Sequence, residues 1–131
     1  MINGFEEQTE ELSEYELKEL LPILLKYLPR KLGKANAITG AAIRKGIEIN
    51  RGHVISGARL RKLINHIRKN DLIPCLIASS KGYYVATDSA DVSRFIESLN
   101  QRETAIRNVR LSMQRQLEHR ANIKFQFPKN E

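Results

Sequence analysis

The chain is 131 residues long, enough for one domain with a tail or a long helix and too short for two full domains. Hydrophobic residues make up 41% and charged residues 28%, an ordinary globular composition, while 22 Lys plus Arg against 15 Asp plus Glu leave a net +7 that points to a polyanionic partner. A single cysteine, Cys75, excludes an internal disulfide and a cysteine-built zinc site, and no apolar run reaches the roughly 18 residues of a membrane span.

In chain order, residues 1–12 form an acidic arm; the start MINGFEEQTEELSE is acidic where a secretory signal is basic then apolar, so a cytoplasmic protein is expected. Ser13 and Glu16 fit a capping box, and Tyr15, Leu20, Leu21, Leu24, Leu25, Leu28 and Leu32 have helical spacing. Residues 13–32 therefore read as a helix, bent or split by Pro22 and Pro29 and stopped at Gly33. Asn36–Ile38 is short enough to pair as a strand. Thr39 caps a second helix with Ala42, Ile43 and Ile47 inward, ending near Asn50 and an Arg51–Gly52 turn.

Ser56 caps a third helix, Gly57–Asn70, whose Leu60, Leu63, Ile64 and Ile67 form one apolar stripe. At about 100° per residue the opposite face carries Ala58, Arg61, Lys62, Asn65 and Lys69, with Arg59 and His66 on its flank. Leu72–Ala78 and Tyr83–Thr87 are β-prone runs around Ser79-Ser80-Lys81-Gly82, which is hairpin chemistry. Tyr83 and Tyr84, being adjacent, point to opposite sides of such a strand. Ser89 caps a last helix, Ala90–Arg120, striped by Val92, Phe95, Ile96, Leu99, Ile106, Val109, Met113 and Leu117. The tail, residues 121–131, reads as frayed or as an added edge strand.

Charge is unevenly distributed along these elements. Residues 1–25 carry seven acids and one base, residues 26–69 twelve bases against Glu48 alone, and residues 70–131 nine bases and seven acids. A solvated surface usually mixes both signs. The basic stretch has almost no acid, which favours nucleic acid as the partner over a merely soluble face.

Helix, short strand, helix, basic helix, hairpin, long helix: this order resembles the winged helix-turn-helix DNA-binding family over residues 13–88. The resemblance is carried by TGAAIRKGIEIN, ISGARLRKLINHIRKNDLI and PCLIASSKGYYVATD. The segment SKGYYVATDSADVSRFIESLNQRETAI is also similar to the wing and trailing helix of members encoded by phages and mobile elements. The resemblance implies a mainly α fold with a small β-hairpin wing, its third helix in the major groove and its wing on the backbone or minor groove. The residues agree independently. Arg61, Lys62 and Asn65 have the donors and acceptors that read guanine and adenine edges, with Ala58, Arg59, His66 and Lys69 beside them. Thr39 and Ser56 open helices whose N–H groups can hold phosphate, and Arg44, Lys45, Arg51 and Lys81 add phosphate contacts.

Catalytic chemistry on nucleic acid needs clustered carboxylates, a positioned nucleophile or zinc ligands, and none is legible here. His53, His66 and His119 lack metal-ligand spacing, and Cys75, in an apolar run, reads as a small core residue. No cofactor is expected. The last helix, about 45 Å long if continuous, would outrun a body this small. Its far half keeps an apolar stripe, so an antiparallel homodimer through Leu99, Ile106, Val109, Met113 and Leu117 is expected, unless a break at Asn100–Glu103 folds it back. The expected function is sequence-specific binding of double-stranded DNA by a regulator or origin binder, with a larger replication or transcription protein as a further partner. The alternative is a winged-helix protein-interaction module without DNA readout.

Overall fold

The computed structural model describes residues 10–122, in two compact units that divide after Val92. The chain is mainly helical, with one two-stranded antiparallel hairpin and a long C-terminal helix.

The first unit begins as the capping box requires: the Ser13 N–H donates to Glu16 Oε1 (2.8 Å) and the Glu16 N–H to Ser13 Oγ (3.1 Å). The helix that follows is neither straight nor single. A π-helical turn, Glu16–Leu20, leads into α1 (Leu21–Tyr27), and a 3₁₀ turn, Leu28–Arg30, ends it. Pro22 lacks an N–H and its ring would collide with the carbonyl four residues back, so the coil widens just before it, and the Leu21 N–H bonds to the Glu16 carbonyl instead. Leu20, Leu24 and Leu28, four residues apart, are buried, whereas Tyr15 and Leu32 at the ends of the expected stripe are exposed.

From Lys31 to Ile38 the chain lies along the hairpin. The Gly33 N–H donates to the Val85 carbonyl and the Val85 N–H to the Lys31 carbonyl, while Ile38 and Tyr83 exchange both their N–H···O bonds. The short strand expected at Asn36–Ile38 is thus reduced to one antiparallel bridge at Ile38. α2 (Gly40–Arg51) is capped by Thr39 Oγ1, which accepts from the Ala42 N–H (3.1 Å), and ends at Gly52 in the left-handed conformation. Ile43 and Ile47 are buried, but Ala42, expected inward, is exposed.

α3 (Gly57–Lys69) is capped by Ser56 Oγ, which accepts from the Arg59 N–H, and buries Leu60, Leu63, Ile64 and Ile67 as its periodicity requires. These join Leu20, Leu24, Leu28, Ile43, Ile47, Ile55, Ile73 and Leu76 in one core. The strand expected from Leu72 begins only at Leu76. Asp71 and Cys75 both have left-handed φ, so residues 71–75 turn rather than extend, and Cys75 is exposed instead of packed in the core.

β1 (Leu76–Ser79) and β2 (Gly82–Val85) pair with Leu76 opposite Val85 and Ser79 opposite Gly82, which leaves Ser80 and Lys81 as a two-residue loop. Tyr84 is buried and its hydroxyl donates to Asp91 Oδ2 (2.8 Å), while half-buried Tyr83 packs on the opposite face against the core. α4 (Ser89–Asn122) runs unbroken through Asn100–Glu103 for roughly 50 Å at 1.5 Å per residue. Its cap is Asp88, whose Oδ1 accepts from the Asp91 N–H (2.8 Å), one residue before the expected Ser89. The expectation for the tail beyond residue 122 lies outside the described residues, as does that for arm residues 1–9. Among the described residues no helix is long and apolar enough to cross a membrane.

Gly82 joins hairpin and body. Its φ is +117°, and a Cβ there would stand 2.3 Å from the Ile38 carbonyl oxygen. Gly82→Ala must therefore open the Ile38–Tyr83 bridge, and urea denaturation is expected to register a loss of about 2 kcal/mol or more.

Candidate nucleic-acid interface

α3 carries most of the expected contacts, and the structure divides them. Opposite its buried stripe, Arg59, Lys62, His66 and Lys69 follow one another at spacings of three and four on one flank, and Arg61 and Asn65 lie on the other. The first flank is engaged. Arg59 Nε donates to Glu16 Oε2 (3.0 Å) and one terminal nitrogen to Glu16 Oε1; the terminal nitrogens also donate to the Glu10 and Glu11 carbonyls. Glu11, Leu12 and Leu17 then share a cleft of about 150 Å³ with Lys62, His66 and Lys69.

Two expectations need correction here. Arg59, expected on the flank of the outward face, is engaged within the protein, because an ion pair and two backbone carbonyls hold its guanidinium against the start of the chain. Lys62 is only 8% exposed, although it lies opposite the core of its own helix. The segment at Glu11–Leu17 walls that side, which helical periodicity within α3 has no means of showing.

Glu16 is 6% exposed and still charged. Hydrogen bonding from Arg59 outweighs the cost of its burial and, with the Ser13 bonds, lowers its pKa from 4.5 to about 2; Arg59 is raised in turn. No feature of the local sequence marks this pair. The capping box identifies Glu16, but its second partner is 43 residues away.

The remaining candidates are placed as follows. Arg61 is exposed, and Asn65 and Ala58 are half-buried. Thr39 and Ser56 are exposed, with their side-chain oxygens accepting from their own helices. Arg44 and Lys45 line one cleft with Glu48, so the single acid of the basic stretch lies among its bases. Arg51 is exposed at the end of α2, and Lys81 is exposed in the hairpin loop. In the second unit, Val109 (58%), Met113 (53%) and Leu117 (57%) are exposed, Leu99 is also exposed, and Ile106 is half-buried. Among the described residues no three His, Cys, Asp or Glu side chains gather as metal ligands. The chain matches no family model, no curated protein and no solved structure.

Because the folded pKa of Glu16 lies below its ordinary value, its stabilisation is complete above about pH 4.5 and is lost as the pH falls toward 2. Glu16→Gln should lower stability at pH 7 by on the order of 3 kcal/mol. Denaturation at a series of pH values should show the gap between variant and wild type closing between pH 4.5 and 2.

Proposed function

We propose that the protein binds double-stranded DNA as a winged helix-turn-helix protein, with α3 in the major groove and the hairpin as the wing, in the role of a phage or mobile-element type regulator or origin binder. The observation that carries this reading is a juxtaposition: helix, bridging segment, helix, helix and hairpin occur in winged-helix order, and α3 opposes its apolar stripe with Arg61 and Asn65. Arg61 and Asn65 are the base readers. The first N–H groups of α2 and α3, with Lys45, Arg51 and Lys81, grip phosphates.

One observation favours the alternative of a protein-interaction module. A mainly apolar cleft of about 320 Å³ opens between α1 and α2, lined among others by Ile23, Tyr27, Ile38, Ala42 and Gly46. A selection from a random duplex library separates the two readings, because an interaction module enriches no sequence.

The same reading pairs two chains through α4. Leu99, Ile106 and Met113 recur every seven residues, the period of a coiled-coil seam. Packed parallel, two copies would set Arg102 against Arg102. Antiparallel, with the two-fold axis midway between Arg107 and Asn108, Ile106 meets Val109 of the second copy and Arg102 no longer faces a second Arg102. The antiparallel pair thus joins apolar residues at its centre and avoids that like-charge contact.

Duplex affinity should fall with salt at a log–log slope near −5, as about six phosphate contacts require. Asn65→Ala should cost roughly 1–3 kcal/mol on the preferred site and relax specificity, whereas Lys81→Ala should weaken all sequences alike. Ile106→Glu should convert a dimer into a folded monomer, as read by sedimentation equilibrium.

A further inference from the structure

We propose that the acidic N-terminal arm is a built-in competitor of DNA: its residues Glu10–Leu12 lie against one flank of α3, two of them through backbone carbonyls, and must leave before that flank can take phosphates. The inference rests on the DNA-binding reading and adds to it a regulatory state of the same face.

Four observations support it. A guanidinium has five N–H donors. Arg59 uses four of them on Glu16 and on the Glu10 and Glu11 carbonyls, so bidentate phosphate binding there requires the arm to move. Lys62, His66 and Lys69, the other basic groups of this flank, line the cleft that Glu11 and Leu12 close. The arm matches the flank in charge, since Glu6, Glu7, Glu10 and Glu11 all precede Ser13 and no base does.

The fourth observation is that the contacts come in two strengths. Glu16 is buried, bonded to Ser13 and ion-paired with Arg59, whereas the Glu10 and Glu11 contacts to Arg59 are exposed. The capping box therefore fixes the chain at residue 13, and residues 10–12 can swing away without unwinding the helix behind them. Tethered so close, the arm acts at an effective concentration on the order of millimolar, so weak contacts suffice to compete with non-specific DNA.

The test compares the full chain, a chain lacking residues 1–12, and a full chain with Glu6, Glu7, Glu10 and Glu11 changed to Gln, each checked for folding by urea denaturation and titrated with a short fluorescent duplex. Deletion should tighten binding roughly 5- to 100-fold, the usual range of such couplings. It should also steepen the salt slope by about two phosphate contacts. The neutralised chain, which keeps its backbone bonds to Arg59, should fall between the two. Lys69→Ala separates arm docking from a change in net charge: it should barely affect the full chain and weaken the deleted chain severalfold. Equal affinity and slope for the full and deleted chains, or an equal Lys69→Ala effect in both, would overturn the competitor while leaving DNA binding intact. Failure of every form to bind duplex at low salt would overturn both.

Discussion

Glu16 is a charged carboxylate set almost wholly out of water, and it is tolerable there because Arg59 lies against it with two donors. Its other bonds cap the N-terminal helix. One side chain thus starts the first helical segment and ties it to the N-terminal end of α3, 43 residues on. The pair also sets what α3 can offer outside. With Arg59 turned toward Glu16, the next basic residues along that flank face residues 11–17, and Lys62 is buried.

α3 therefore has three surfaces rather than two. Its aliphatic stripe supplies the core, and one polar flank serves the arm and the helix start. The other flank carries Arg61 and Asn65. A helix only thirteen residues long can do this because aliphatic stripe, basic flank and polar flank each need only about a third of its circumference. The hairpin is anchored in a similarly economical way. Strand β2 is bridged on both edges, by β1 and by the Lys31–Ile38 segment, and Gly82 lets the Ile38 backbone approach where any side chain would block it.

The C-terminal helix poses a different problem. Its stripe was legible as a period, and the period is that of a packed helix, yet its side chains are exposed at Leu99, Val109, Met113 and Leu117. Apolar surface repeated along a helix at this spacing is costly in water. An antiparallel second copy, with Ile106 against Val109, would cover this stripe, which is why the proposed partner is another chain of the same kind.

Features fixed within a few residues were readable from the sequence. The caps at Ser13, Thr39 and Ser56, the four-residue stripe of α3 and the hairpin around Lys81 all follow from side chains acting on their own neighbouring backbone or repeating at the period of their own element. Where two local signals were nearly equivalent the reading slipped, as with Ser89 for Asp88, or an expected core place for a cysteine that sits in a left-handed turn. Contacts between distant segments were not readable. The partner of Glu16, the burial of Lys62 and the reduction of a strand to a single bridge at Ile38 depend on which segments meet, and helical or strand periodicity describes one element at a time. The sequence determined that α3 would be amphipathic and basic; only the tertiary structure decided which of its cations face the protein itself, because the charge that claims Arg59 comes from another part of the chain.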